Sequence, residues 1–370
     1  MDDSSLSEEA GGGSLEEVGS DPVRLQRRLN VSRRAMWASA VIMVVCMLYM
    51  AAGYVVYSQI AASSPCTNHE ENAPDAWWAH LYNGSRVQDF DSEPWWFNGT
   101  ENVSIEVPDE PITLAGWWRA GDPDMPAVVL THGIRSCKSN HTVLLPSSML
   151  VKANYSVLMI DQRDHGESTI EDGKVSAGQK EWRDMVAAWN WVNETKGVDS
   201  ARIGVFGTSM GAGAVAIAFT QETAIQAAFV DTTYYDMDRI IDSELRMAGF
   251  PTILRPAGVL AGQIASGDNI AEHQPGDAAM SIGDRHLFIT HNIPDERIAI
   301  VHGIDMCEAA NASVTAAGTA GCWFTDARLS EGVEVGPHTH IVSMLVVTEE
   351  YEARLVGFFD EAFGVQRAQP

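Results

Sequence analysis

A serine stands between glycines in the pentapeptide Gly207–Gly211, which reads G-T-S-M-G. The pentapeptide follows the apolar run 203–206, which is typical of a buried strand, and precedes a helical pattern. A serine at such a strand–turn–helix junction lies on a sharp bend that exposes its hydroxyl. The outer glycines are required because a Cβ there would meet neighbouring backbone. The pattern predicts that Ser209 is a nucleophile, although an ordinary glycine-rich turn has the same composition.

A second turn could stabilise the negative charge that a nucleophilic attack on a carbonyl creates. After the apolar run 127–130 the chain reads T-H-G-I, at 131–134. A glycine in this turn lets backbone N–H groups point into a site. We expect the backbone N–H groups of Ile134 and Met210 to bind the oxyanion of a tetrahedral intermediate. This chemistry needs no metal ion and no organic cofactor.

A third turn, at 161–168, reads D-Q-R-D-H-G-E-S and follows the apolar run 157–160. Asp161 and His165 have the side chains of a catalytic pair. The interpretation we favour is structural: both side chains tie the turn by hydrogen bonds.

In their order and spacing, these three turns resemble the α/β-hydrolase superfamily, in particular its esterase/lipase and serine-aminopeptidase-like branches. The likeness covers roughly residues 101–365. It implies an α/β fold, with a mostly parallel central sheet and helices on both faces, and the chain order serine, acid, histidine. Asp164 departs from the pattern, because the family usually has glycine there.

The acid is expected in the segment 290–298, which reads T-H-N-I-P-D-E-R-I. This segment resembles the family's H-G-x-x-D turn, with Asn292 in the glycine position and Asp295 as the acid. Asp231 is an alternative, since some members place the acid after the preceding strand. Asp305 lies in a similar segment, H-G-I-D at 302–305. It is less favoured as the acid, because residues 301–310 have the pattern of a helix.

The base is expected in the segment G-P-H-T-H, at 336–340. Family members carry the histidine on a loop shortly before a final amphipathic helix. In this chain that helix is predicted at 349–363, beginning near Thr348. His340 has the family-like distance to that helix, and His338 is the alternative. The two histidines do not indicate a metal site, because no cysteine or carboxylate cluster stands at ligand spacing.

The N-terminal part of the chain contains a stretch without charge, about 22 residues long, at 36–57. This length is sufficient to cross a membrane as a helix. Five arginines precede the stretch, and no lysine or arginine follows it until Arg86. We therefore expect a single-pass anchor, with the N-terminus cytoplasmic and the remainder outside the cytoplasm. A buried core helix and a cleaved signal peptide are the alternatives.

These features divide the chain into four predicted parts. Residues 1–34 form a disordered tail, acidic and then arginine-rich; 35–58 span the membrane; 59–100 are a juxtamembrane segment; and 101–370 form the α/β-hydrolase domain. A long insertion at about 232–284 is predicted to be a modest helical lid. Four cysteines follow the predicted span, and the shortest loop favours a Cys307–Cys322 disulfide over free thiols.

The net charge of −26 makes nucleic acid an unfavourable partner, because the surface repels phosphates. The expected function is a membrane-anchored serine hydrolase that cleaves a small acyl ester through an acyl-enzyme intermediate. The expected partners are that substrate and the membrane. A serine peptidase or amidase with the same residues, and a catalytically silent hydrolase-like binding module, are the alternatives.

Overall fold

The structure is a computed structural model, and it describes residues 22–64, 66, 72–78, 80–81, 85–86, 90–329 and 339–367. The chain divides into two compact units, Met1–Ala51 and Ala52–Pro370. The predictions for residues 1–21 and for His338 lie outside the described residues.

The first helix, α1, spans Pro22–Ile60. Among the described residues, it is the one helix long and apolar enough to cross a membrane, by length and composition. The side chains of residues 30–48 are exposed, and Trp37 is 75% exposed, which is not the environment of a core helix. Residues 22–34 were predicted to belong to the disordered tail, but they are helical in the structure. The reason is local: this segment contains no glycine, and its proline stands at the first helical position, where it is tolerated.

The second unit is built on a sheet of eight strands, in the order β10-β9-β8-β7-β5-β6-β4-β3. Pairing is parallel from β10 to β6, whereas β4 is antiparallel to both of its neighbours. The eight strands of this sheet are β3 Thr100–Glu106, β4 Thr113–Arg119, β5 Ala127–Thr131, β6 Ser156–Ile160, β7 Ile203–Thr208, β8 Ala227–Asp231, β9 His286–Asn292 and β10 Thr319–Thr325. Two short strands that precede them, β1 His80–Leu81 and β2 Ser85–Arg86, form a separate antiparallel pair.

The apolar runs at 127–130, 157–160 and 203–206, which precede the three turns, form the buried strands β5, β6 and β7, as predicted. Strand β10 was not predicted. It lies at the edge of the sheet and most of its residues are partly exposed, so it lacks the continuous apolar run of a strand buried on both faces.

Helices cover both faces of the sheet. They are α2 His141–Lys152, α3 Glu181–Lys196, α4 Met210–Gln221, α5 Met237–Met247, α6 Arg255–Ser266, α7 Gly276–Met280, α8 Val301–Ser313, α9 Ser343–Val346 and α10 Thr348–Phe363. Alternate residues of a strand serve opposite faces: Val129 belongs to the core cluster that includes residues of α3, α4 and α8, whereas Val128 belongs to the cluster that includes residues of α2 and α10. The predicted helices at 301–310 and 349–363 are confirmed.

The insertion 232–284, here called the lid segment, contains three helices. Helix α7 belongs to the core, because Ala278 and Ala279 are fully buried in the layer that α4 and α8 form. Helices α5 and α6 have larger exposed faces and pack on each other. The predicted disulfide between Cys307 and Cys322 is present and ties α8 to the edge strand β10, and Cys66 pairs with Cys137.

Candidate active site

Ser209 occupies the bend between β7 and α4. Its φ of +53° lies in a region that non-glycine residues rarely adopt. A Cβ at Gly207 would lie 2.4 Å from the carbonyl oxygen of Gly211, and a Cβ at Gly211 would lie 2.3 Å from that of His132. Both flanking glycines are therefore required by close backbone approach, as the sequence pattern predicts.

His340 lies beside Ser209, although 131 residues separate them in the chain. Its Nε2 atom is 3.0 Å from Oγ of Ser209, and its Nδ1 atom is 2.8 Å from Oδ2 of Asp295. All three residues are buried. The structure thus brings together Ser209, Asp295 and His340 in one hydrogen-bonded row.

The Asp295 carboxylate is held in place from both sides. Its Oδ1 atom accepts hydrogen bonds of 2.8 Å from the backbone N–H groups of Arg297 and Ile298, which leaves Oδ2 for the imidazole. Burial raises the pKa of Asp295, but the adjacent His340 and the hydrogen bonds outweigh burial, so the pKa lies below its usual range. The carboxylate is therefore ionised at neutral pH and accepts from Nδ1–H.

The alternative acids have other partners. Asp231 accepts hydrogen bonds of 2.8 Å from the hydroxyls of Tyr351 and Thr232, and in the described part of the chain it makes none with His340. Burial, opposed by these hydrogen bonds, raises the pKa of Asp231 to about 6. Asp305 lies on α8, with its carboxylate 2.7 Å from the Arg239 guanidinium.

The turn 131–134 packs directly against the serine. A Cβ at Gly133 would lie 3.1 Å from the Ser209 Cβ and 3.6 Å from its Oγ, so the residue that precedes Ile134 lies against the serine side chain. Within the described residues, the backbone N–H groups of Ile134 and Met210 have no hydrogen-bond acceptor. Two free N–H groups near a nucleophile, one of them at the positive end of α4, can bind a developing oxyanion.

Side chains of the third turn, at 161–168, bind the loop that follows the second turn, at 131–134. Asp161 accepts hydrogen bonds from Nζ of Lys138 at 2.5 Å and from the backbone N–H of the same residue at 2.7 Å. Nε2 of His165 accepts from the backbone N–H of Arg135, at 3.3 Å. Both side chains thus hold the loop that follows Ile134, which agrees with their predicted structural role.

Asp164, the departure from the family's glycine, adopts the positive φ of +61° that glycine favours. Its Oδ1 atom accepts hydrogen bonds from three successive backbone N–H groups, those of Glu171, Asp172 and Gly173, at 2.8–3.1 Å. These bonds compensate for the unfavourable backbone conformation, so the turn keeps its shape.

Asn292 is a positioning residue that sequence reasoning treated only as a departure from glycine. Its buried amide donates hydrogen bonds to the carbonyls of Ala327, at 2.8 Å, and Thr339, at 2.7 Å. Its Oδ1 atom accepts from the Ala327 N–H and the Thr325 hydroxyl. The side chain thereby connects β9 to the residue that precedes His340. No local sequence signal indicates a partner that lies 47 residues away.

We expect Asn292→Ala to lower kcat for ester hydrolysis by about a hundredfold, because it leaves buried carbonyls unpaired and frees the loop that places His340. The measurement is steady-state hydrolysis of p-nitrophenyl acetate, beside thermal unfolding of the same sample. A folded Asn292→Ala variant whose kcat stays within about twofold of wild type contradicts this role.

Comparisons with known proteins agree with this architecture. Residues 145–315 match the prolyl oligopeptidase family, a range that includes Ser209 and Asp295 and ends before His340. Two uncharacterized 31.7 kDa proteins, from the traX-finO intergenic region of Escherichia coli, are each 30% identical over 128 residues. Those residues are 34% of this chain and 43% of each relative, so the match spans less than half of the relatives' length.

Three solved structures are similar in fold. An esterase of Pyrococcus furiosus, Pf2001, superposes with a TM-score of 0.57 at 23% identity, over 75% of this chain and 98% of its own. The α/β hydrolase GrgF from a Penicillium species gives 0.54 at 14% identity, over 72% of this chain and all of its own. An acylaminoacyl peptidase of Pyrococcus horikoshii gives 0.50 at 13% identity, over 74% of this chain and 43% of its own.

The sheet order, the bend at Ser209 and these matches define the class of protein: the chain has the α/β-hydrolase fold, and the family match over residues 145–315 supports the α/β-hydrolase superfamily. Within this class, the family match and the named structures support a serine hydrolase.

Proposed function

We propose that the protein is a serine hydrolase that cleaves acyl esters, with Ser209 as nucleophile, His340 as base and Asp295 as the orienting acid. The observation that carries the proposal is the hydrogen-bonded row from Oγ of Ser209 through the imidazole of His340 to Asp295. A hydroxyl is a weak nucleophile until a neighbouring base accepts its proton, and this row supplies that base.

In the first half-reaction, Oγ of Ser209 attacks the ester carbonyl while Nε2 of His340 takes the hydroxyl proton. The backbone N–H groups of Ile134 and Met210 bind the oxyanion. The C–O bond to the alcohol then breaks, and His340 donates its proton to the leaving oxygen.

In the second half-reaction, water attacks the acyl-enzyme and gives a proton to Nε2 of His340. The bond from the acyl carbon to Oγ breaks, Oγ regains a proton from His340, and the carboxylic acid leaves. Asp295 stays ionised throughout and stabilises the imidazolium that forms twice.

Ester hydrolysis is favoured over peptide hydrolysis because the similar esterase corresponds to this chain over a larger share of its own length than the similar peptidase does. The Pyrococcus furiosus esterase corresponds over 98% of its length, whereas more than half of the acylaminoacyl peptidase has no counterpart in the match. The prolyl oligopeptidase match supports the second candidate, a serine peptidase or amidase that uses the same three residues.

We further propose that α1 anchors the protein in a membrane, with the N-terminus cytoplasmic and the catalytic unit outside the cytoplasm. The candidate span Gln26–Ile60, with arginines concentrated before its uncharged part, supports this orientation. The lid segment adds support, because it exposes the large apolar side chains of Met247, Ile253, Leu260 and Ile264. Large apolar side chains exposed on a highly charged surface favour contact with a membrane.

Parallel assays of p-nitrophenyl acyl esters and aminoacyl p-nitroanilides test the reaction. We expect the ester kcat/KM to exceed the anilide value by at least about a hundredfold, because no structural feature described above is aimed at an amide nitrogen or a peptide terminus. A higher kcat/KM for the anilides would assign the protein as a peptidase. If the protein hydrolyses neither the esters nor the anilides, the result favours a catalytically silent, hydrolase-like binding module.

A further inference from the structure

A cavity of about 110 Å³ lies beside Ile134, one of the two residues proposed to bind the oxyanion. Its walls come from the end of α1, the segment 175–177, and helices α5 and α6, all within the second unit. Most of the lining side chains are aliphatic, including Val56, Ile60, Ile240 and Leu245. An apolar chamber therefore lies next to a residue that is proposed to bind the oxyanion.

The end of α1 presents one face to this chamber. Gly53, Val56 and Tyr57 are buried, with Val56 4% exposed, whereas the neighbouring Tyr54 and Val55 are 57% and 47% exposed. Buried positions recur at helical spacing, so this part of α1 packs as an element of the domain.

Small residues bring α1 and α6 into close contact. A Cβ at Gly53 would lie 2.4 Å from the backbone of Ala257, and a Cβ at Gly262 would lie 2.9 Å from the Tyr57 ring. Glycines at a helix crossing allow the two backbones to approach closely. The wall that α1 contributes to the cavity is therefore fixed against the lid segment.

Polar contacts attach the same helix end to the turn beside Ser209. The Arg135 guanidinium donates hydrogen bonds to the carbonyl oxygens of Gln59, Ile60 and Ala62, at 3.1–3.3 Å. The Lys174 ammonium donates to the carbonyl of Ser58, at 2.9 Å. These cations satisfy the last carbonyls of the helix. Because Arg135 follows Ile134 directly, one loop links the oxyanion position to the end of α1.

The charged residues on the cavity wall have partners elsewhere. Glu244 pairs with Arg297 at 3.1 Å, and Arg255 pairs with Asp242 at 3.0 Å. Neither charge is thus left to bind a charged ligand in the cavity. The chamber suits an uncharged, aliphatic group.

We propose that this cavity binds the aliphatic acyl chain of the substrate ester, and that Val56, Tyr57, Ile60 and Ala61, at the end of α1, form part of its wall. The helix is then a component of the substrate site as well as an anchor. This inference rests on the proposed ester hydrolase function, and it adds a substrate class: esters whose acyl group is an uncharged aliphatic chain.

Val56→Trp is the direct test, because the indole would fill the cavity from the α1 wall. The full-length protein in detergent micelles is assayed with p-nitrophenyl decanoate and p-nitrophenyl acetate. We expect the ratio of kcat/KM for decanoate to that for acetate to fall by at least about tenfold. Val55→Trp is the matched control: the same substitution one residue away, on the exposed face, should leave this ratio within about twofold of wild type.

The outcomes separate the two proposals. If the wild-type protein hydrolyses both esters but Val56→Trp and Val55→Trp give the same ratio, the acyl-chain site is wrong and the hydrolase stands. If the wild-type protein hydrolyses neither ester, the proposed function fails first.

A second experiment uses the wild-type protein, so it tests the proposal even if the Val56→Trp variant does not fold. A decyl fluorophosphonate with a diazirine at the chain end is attached to the wild-type protein and irradiated, and the crosslinked peptides are sequenced by mass spectrometry. We expect crosslinks from the Ser209 adduct to Val56, Tyr57, Ile60 or Ala61, at the end of α1. Crosslinks confined to other parts of the chain would overturn the proposal.

Discussion

Replacing His340 with alanine is expected to lower kcat for ester hydrolysis by about 10⁴- to 10⁶-fold. Nε2 of His340 is the basic atom placed 3.0 Å from Oγ of Ser209, and without it the hydroxyl proton has no acceptor in the site. The variant protein should still bind substrate, because the cavity and the oxyanion turn are unchanged. Steady-state hydrolysis of p-nitrophenyl acetate measures the loss.

The matched control is His286→Ala, at the start of β9. His286 is partly buried, and in the described part of the chain its side chain makes no hydrogen bond, so kcat should stay within about twofold of wild type. If His340→Ala kept more than a tenth of the wild-type kcat, another group would have to be the base.

Asp295→Asn is the second large effect, with an expected fall in kcat of about 10⁴-fold. The present carboxylate accepts Nδ1–H of His340, which leaves Nε2 free to take the serine proton. An asparagine amide can instead donate to Nδ1, and the proton then resides on Nε2, where it blocks the base. The shape of the site is preserved, so a loss of this size reports the tautomer of His340.

Asp231→Asn decides between the two candidate acids under the same assay. Its partners are Tyr351 and Thr232, and asparagine can accept at least one of these hydrogen bonds, so we expect kcat within about fivefold of wild type. The reverse pattern, a severe loss in Asp231→Asn and a mild one in Asp295→Asn, would show that Asp231 orients the imidazole.

The parts of the site that depend on neighbouring residues could be predicted from the sequence. The bend at Ser209 requires glycines two residues away on each side, and the apolar run before it fixes the strand. Strands buried on both faces are continuous apolar runs, which is why the three strands that precede the turns could be predicted. The pairing of Cys307 with Cys322 follows from a separation of 15 residues.

The parts that depend on distant residues could not be predicted in this way. Asn292 is recognisable as a positioning residue only when Ala327 and Thr339 are placed beside it. The start of α1 was misplaced because charge, rather than helix propensity, was used to bound it. The buried face of α1 at Gly53 and Val56 could not be predicted from the sequence either. An apolar helix has no polar face, so its pattern does not indicate which side packs against protein.

The most direct test of the proposed chemistry is to locate the adduct of a fluorophosphonate probe on the full-length protein by mass spectrometry. The account predicts a single phosphonylated residue, Ser209, and no labelling of the Ser209→Ala variant under the same conditions. Absence of labelling in a folded wild-type protein, or an adduct on another residue that persists in Ser209→Ala, would contradict it.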